Sequence, residues 1–476
     1  MVFSSTVFLF LFLPLVLAVY YVLPRSLRNS WLLVMSLLFY AWGEKVLTVV
    51  MLGSIVANYF FGLMVERYRG RGAVYGVLAV AVTANLLLLV FYKYSVFFLD
   101  IVNSGLSVLH FRPVHWKSAH MPIGISFFTF HAISYLVDVH RGHARVQKSF
   151  FNFALYESLF PQLVAGPIIR YQDIADQIDR REETLADFAY GVRRFILGLS
   201  KKVLIANVLA IPAGQILDMR SENLTASVAW LGVVCYALQI YFDFSGYSDM
   251  AIGLGRMFGF KFVENFNYPY ISRSIQEFWR RWHISLSTWF RDYLYIPLGG
   301  SRVGPWRIYF NLVTVFFLCG LWHGASWNFV IWGLMHGLFL VIERQKWMAW
   351  MEKVWMPVRH CYAMLVVLVG WVFFRAETLP VACAYLKAMA GFGHGDPAMQ
   401  HPSLFLDATV VAALVAGIIG SMPVAALVRR MNESITQPYL DNIAAIGRTA
   451  VFGILFLLCA MQLAAGTYNP FIYFRF

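Results

Sequence analysis

The sequence predicts an all-α, polytopic integral membrane protein with about eleven to thirteen transmembrane or re-entrant helices. Three observations lead there. Of 476 residues, 60% are hydrophobic and only 13% charged, against about 25% charged in an ordinary soluble domain. Apolar stretches approaching the ~20 residues needed to cross a bilayer recur from one end of the chain to the other. The charge is lopsided, with 38 Lys and Arg against 25 Asp and Glu, a net of +13, and many of the basic residues sit in short connections between apolar runs. The positive-inside rule explains that placement with no nucleic-acid partner. A normal soluble enzyme is excluded, and 1–476 reads as one transmembrane domain.

The first span, near 5–23, lacks the basic n-region and small-residue cleavage site of a secretory signal, so it reads as a retained helix. Spans follow near 30–43, 46–65, 74–92, 122–139, 151–169, 187–210 and 225–258. Two helices are expected in 308–342, then spans near 360–374, 404–428 and 447–466. Polar breaks fall at 171–186 and 429–446, and a Gly, Pro and His-rich loop at 389–403. Arg25 and Arg28 follow the first span and Glu66–Arg71 the third, while the turn after the second carries only Glu44 and Lys45. The N-terminus is therefore expected on the periplasmic or extracellular side. Cys235, Cys319, Cys361, Cys383 and Cys459 stand singly in apolar surroundings with no CxxC pair, the pattern of small buried hydrophobes rather than a disulfide or thiolate metal site.

Segment 277–292 departs from simple hydrophobicity. It places Glu277, Arg280, Arg281, His283, Arg291 and Asp292 among Phe278, Trp279, Trp282, Trp289 and Phe290. Five formal charges facing lipid would cost on the order of 10 kcal/mol or more. The segment must pair its charges inside the protein, dip in and out as a re-entrant element, or lie along the interface. A surface amphipathic helix anchored by Trp and Arg satisfies that need. So does a basic entry for an anionic nucleotide-bearing substrate, since guanidinium groups beside aromatic faces suit phosphates and a purine ring. The pattern alone does not separate the two.

Residues 311–343 form a strongly apolar stretch holding His323 and His336. An ionisable group at membrane depth is a functional candidate by default, although a lone buried His is commonly a hydrogen-bonded packing residue. His323 is the sharper candidate. Gly324, Ala325 and Ser326 after it imply a turn or close helix approach, and a neutral imidazole in apolar surroundings can accept a proton from a hydroxyl or thiol. His336 lies about 220° further round an ideal helix, so the two do not share a face or form a metal pair. Asp243 and Asp249 are further acids in an apolar run. Gly246 between them would permit a helix break, and Arg256, Arg280 or Arg281 could pair with them. HExxH, Walker, GxSxG and GxGxxG patterns are lacking, which leaves hydrolase, ATPase and dinucleotide chemistry without support.

The blocks YFDFSGYSDMAIGLG (241–255), ENFNYPYISRSIQEFWRRWHISLSTWFRDYLYIPLGG (264–300) and LWHGASWNFVIWGLMHG (321–337) carry a specific likeness. The opening MVFSSTVFLFLFLP, MPIGISFFTFHAISYLVDV (121–139) and FPQLVAGPIIRY (160–171) extend it. Together they resemble the membrane-bound O-acyltransferase family, in particular its bacterial branch that O-acetylates exopolysaccharides. The motif-bearing core spans about 121–343, while the C-terminal helices, about 360–466, resemble the family in hydropathy alone.

The resemblance implies a ring of helices around a central tunnel in the bacterial inner membrane, with acetyl-CoA as the acyl donor from the cytoplasm and no permanently bound cofactor. It implies that His323 is catalytic, that His283 is a second tunnel residue near the donor side, and that Asp292 fills the acidic position of the same block. Arg280, Arg281, Trp282 and Arg291 are the residues expected to receive acyl-CoA. A periplasmic serine-hydrolase-like partner would accept the acetyl group and pass it to an exopolysaccharide. The wording AGPIIRY leaves the polymer open between alginate and cellulose types. A transporter or flippase for a polysaccharide or lipid-linked precursor fits the hydropathy equally well, though no two-fold repeat accompanies it.

Overall fold

The computed structural model describes residues 2–116, 119–220, 223–396, 400–424 and 438–466. Every regular element among the described residues is helical. Contacts divide the chain into two units, one of 1–191 with 254–263 and 324–326, the other of 192–253, 264–323 and 327–476.

The first unit holds α1 (Leu13–Val22), α2 (Arg25–Glu44), α3 (Thr48–Arg67), α4 (Ala73–Leu89), α5 (Ser95–Val108), α6 (Ile125–Arg141), α7 (Phe150–Ser158) and α8 (Tyr171–Asp179). Pro24, extended at φ −60° and ψ 150°, separates α1 from α2, since a proline cannot supply the amide a continuing helix needs. The rings of Phe3, Phe8, Phe12, Phe39 and Phe160 pack together with neighbouring centroids 5.0–6.3 Å apart. Gly62 of α3 lies against the Tyr135 ring of α6, where any Cβ would collide with it.

One expected span fails. Over 151–169 the chain forms α7, breaks at Leu159 (φ −54°, ψ 110°), and resumes for a single turn at Phe160–Leu163. Pro161 and Pro167 interrupt the hydrogen-bond ladder, so the apolar run is buried in two short pieces instead of crossing a bilayer. Helix α5 was not expected; its mixture of Asp100, Asn103 and Ser104 hides the span pattern.

The second unit contains most of α9 (Leu185–Leu217) and α10 (Ala226–Met257), then α11 (Ile275–Arg281), α12 (Ile284–Phe290), α13 (Pro305–His323), α14 (Trp327–Ile342), α15 (Met356–Arg375), α16 (Leu379–Lys387), α17 (Ala408–Gly420) and α18 (Pro438–Ala464). Helices Arg25–Arg67 (α2 with α3), Ala73–Val108, α9, α10, α15 and the 446–464 part of α18 are long and apolar enough to cross a membrane. The polar break read at 429–446 lies outside the described residues up to 437, and its remainder begins α18.

Helix α10 runs unbroken through Gly246. That glycine serves packing instead. A Cβ there would meet the Gly198 carbonyl of α9, and one on Gly198 would meet the Gly246 carbonyl, so the backbones pass in direct contact. A π turn, Lys201–Ala206, widens α9 beside this crossing and changes the facing of successive residues. Lys202 reaches Asp243 at 2.5 Å, while Lys201 (2.7 Å) and Arg194 (2.6 Å) hold Asp249. The acids of α10 are thus paired from α9. Of the partners expected from the sequence, Arg256 binds Asp187 and Arg281 binds Glu277.

Helices α13 and α14 form an antiparallel hairpin with its turn at 324–326. Their closest approach is at Gly320 and Gly333, where added side chains would strike the Phe329 and Phe316 carbonyls.

Candidate active site

The charged segment 277–292 folds as two seven-residue helices with a kink between them. α11 is about 10 Å long and α12, which runs on through a π turn at Arg291–Tyr295, is under about 20 Å, so neither spans a bilayer. The first turn of α11 is heavily capped. Ser274 Oγ accepts the Glu277 amide at 3.0 Å, and Glu277 in return accepts the Arg273 amide at 2.9 Å, close to a capping box. The carboxylate of Glu343, 2% exposed, accepts the Ile275 and Gln276 amides at 2.6 and 2.8 Å. These bonds satisfy the amide groups a helix start leaves unpaired.

The kink falls at His283, held at φ 44° and ψ 55°. A left-handed conformation is uncommon for a non-glycine residue and concentrates at functional sites. The ring is completely buried. Its Nδ1 lies 3.1 Å from Asn265 Oδ1, which also accepts the Ser285 amide and hydroxyl. Since Oδ1 can only accept, Nδ1 carries the proton and Nε2 presents a lone pair. Nε2 has no hydrogen-bond partner among the described residues.

His323 ends α13 and is 2% exposed. Its ring meets Trp322, Trp332 and Phe374 edge to face, with centroids 4.9, 5.0 and 5.2 Å away. Trp322 also contacts His283 at 6.1 Å, so one indole separates the two histidines that the sequence singled out. The hairpin brings His336 in as well. Trp332 touches it at 5.1 Å, and Trp279 Nε1 donates to its Nδ1 at 3.3 Å. Rotation around a single helix did not foresee this, because the two histidines sit on opposing strokes of a hairpin and meet the same indole.

A cavity of about 470 Å³ adjoins this group, lined by Trp279 and Arg280 of α11, Phe290 and Arg291 at the end of α12, and Phe316 and Cys319 of α13. Cys319 lies four residues before His323, on the same face of the helix. Of the four residues expected to receive the donor, Arg280 and Arg291 come together on this cavity. Arg280 has no acidic partner among the described residues, and Arg291 is held bidentately by Asp292 at 2.7 and 3.2 Å. Arg281 instead pairs with Glu277 at 2.9 Å. Trp282, 1% exposed, is buried among Tyr241, Phe266, Tyr270, Phe278 and Trp371.

Sequence reasoning passed over Trp332, Asn265 and Glu343. Trp332 is one aromatic residue in a stretch rich in them, and Asn265 and Glu343 act on groups 18 and 68 residues away in the chain. It also passed over His131 and Glu157, buried ionisable side chains of the first unit. Position between apolar neighbours was the available signal for those two.

Buried imidazoles, one with an open lone pair, beside an arginine-edged cavity in a polytopic helical body are groups that membrane group-transfer chemistry can use. The model of the membrane-bound O-acyltransferase family matches residues 37–379, and the chain belongs to that family. It is an O-acyltransferase. It is 42% identical over its whole length to the whole of a probable alginate O-acetylase of Pseudomonas putida. It is 38% identical to a peptidoglycan O-acetyltransferase of Helicobacter pylori, covering 82% of this chain and 80% of that one. It is 30% identical to a teichoic acid D-alanyltransferase of Bacillus subtilis, over 53% of this chain and 66% of that one.

Proposed function

We propose that this chain moves an acetyl group from cytoplasmic acetyl-CoA across the bacterial inner membrane for O-acetylation of an exopolysaccharide of the alginate or cellulose type. In this reading the immediate acceptor is a hydroxyl of a periplasmic serine-hydrolase-like partner, and His323 is the general base. The observation that carries it is the arrangement of His283 and His323 on either side of Trp322, with the Arg280–Arg291 cavity reaching Cys319 one turn away. The acetylases among the relatives support acetyl as the group transferred.

The two arginines would hold donor phosphates at the cavity edge, leaving the thioester to enter between apolar walls. His323 takes the proton of the acceptor hydroxyl as its oxygen attacks the thioester carbonyl. The carbonyl oxygen becomes an oxyanion. The indole N–H of Trp332, whose ring packs on His323, has no acceptor among the described residues and would donate to it. Collapse breaks the C–S bond, and the imidazolium returns its proton to the departing CoA sulfur. His283, with its proton fixed on Nδ1, offers Nε2 along the donor path, and Asp292 orients Arg291.

The test is release of free CoA thiol by the purified full chain with its partner protein and acetyl-CoA. His323→Ala is expected to lower the rate by roughly 10²–10⁴-fold, with unchanged elution volume and thermal unfolding. Normal thiol release by folded His323→Ala would remove that residue from the chemistry. Movement of polymer or precursor across vesicles without an acyl donor would favour transport instead.

A further inference from the structure

A second cavity in the same unit, about 630 Å³, takes no part in that chemistry. It is a groove between α10, α15 and α17. Leu238 of α10, Met364 and Leu368 of α15 and Ile418 of α17 form apolar walls, and Arg273 and His360 stand at one end. Ile418 and Met422 remain 47% exposed, so the walls open outward to the surroundings of the helices. Arg273 is exposed and its guanidinium has no acidic partner among the described residues. His360 Nδ1 donates to the Ser272 carbonyl at 3.1 Å, fixing its ring beside the arginine segment.

The charge of the chain shows which end this is. Segments 264–307 and 343–359 hold ten Lys and Arg against five Asp and Glu, whereas 218–225 and 375–407 hold three against five. Arg273 lies in the first set, and α15 starts from the second segment of that set. By the positive-inside rule this end meets the cytoplasmic leaflet, where anionic headgroups collect and basic pockets between spanning helices bind them. An arginine with no acidic partner among the described residues, at the basic end of an outward-open apolar groove, matches a lipid with a negative phosphodiester and acyl chains.

We propose that this groove is a binding site for an anionic phospholipid, with the phosphate on Arg273 and an acyl chain along Leu238 and Leu368. The groove shares a wall with the aromatic residues around His323. Tyr270 lines the groove, and its hydroxyl accepts from Trp371 Nε1 at 3.1 Å. Trp371 in turn packs on Phe374 at 5.4 Å and Trp332 at 6.3 Å, both of which touch His323.

The experiment is native mass spectrometry of the detergent-purified full chain given equimolar dioleoyl phosphatidylglycerol and dioleoyl phosphatidylcholine, with glycerol 3-phosphate as a separate competitor. The wild type is expected to retain phosphatidylglycerol at least fivefold over phosphatidylcholine. Arg273→Gln should abolish that preference, and Arg273→Lys should keep most of it. Arg302→Gln, which removes an exposed cation outside the groove, should leave it unchanged. Equal retention by wild type of the two lipids, an unaltered preference in Arg273→Gln, or an equal loss in Arg302→Gln would each overturn the proposal. Displacement by glycerol 3-phosphate at the same concentration as the lipid would overturn it too, since the ligand would then be free phosphate and not a lipid.

Discussion

At the scale of single residues, the site is organised by indoles as much as by histidines. Trp322 separates the two imidazoles, and Trp332 lies against His323 and His336. Both histidines were legible in the sequence because an ionisable group in an apolar run is expensive. The indoles were not, since Trp is common here for interfacial and packing reasons and its role depends on which ring it meets in space. Trp332 gives a way to tell chemistry from packing. Its N–H is buried at a residue 1% exposed and has no described acceptor, so Trp332→Phe removes a donor while keeping most of the ring. The expected result is a kcat lower by roughly 10–10³-fold with KM for acetyl-CoA and thermal unfolding nearly unchanged. A rise in KM alone would make it part of the binding wall. His283 illustrates a different limit of sequence reading. Its residue type was visible, but its left-handed backbone and fixed tautomer depend on Asn265 and Ser285, which no local pattern announces.

At the scale of elements, helix positions were mostly readable from apolar length, and the failures have identifiable causes. Prolines broke 151–169, and polar residues concealed α5. The pairing of helices was the harder part. Gly246 reads equally as a helix breaker or as a packing surface, and only the facing Gly198 decides between them. The same crossing explains why the acids of α10 found lysines of α9, because the π turn re-aims Lys201 and Lys202 and a regular helical periodicity cannot anticipate that insertion. The Lys202–Asp243 pair is 3% and 2% exposed, and removing one member strands a buried charge. Lys202→Met is expected to destabilise the protein by about 3–5 kcal/mol, and Lys202→Met with Asp243→Leu to recover most of that loss. Reversible unfolding of the two variants in mixed micelles measures this. If the double variant were no more stable than the single one, charge pairing would not be what the crossing requires.

At the scale of the whole molecule, the sequence excess of positive charge has separable uses. Part of it fills connections between helices, part edges the cavity beside Cys319, and part binds the first unit together around Glu183. There the Glu183 carboxylate accepts the Tyr20 hydroxyl at 2.7 Å and pairs with Arg28 at 2.9 Å. Arg181 beside it donates to the Phe258 carbonyl and to Asn29. Glu183 and Arg181 together thus tie α1, α2 and the segments around 181 and 258. Burial by itself would raise its pKa from the usual 4.5, but the hydrogen bonds from Tyr20 and Arg28 and the nearby charges of Arg28 and Arg181 outweigh burial and hold it lower. A carboxyl whose folded pKa is depressed stabilises the fold fully above its unfolded value and loses that contribution as pH falls through the folded one. Glu183→Gln should therefore unfold at a lower temperature than wild type near neutral pH, and the gap between them should narrow as pH drops below about 4.5. Thermal unfolding of both proteins in detergent across that range checks it. A gap that stayed constant with pH would mean that Glu183 acts through its shape and hydrogen bonds and not through its charge.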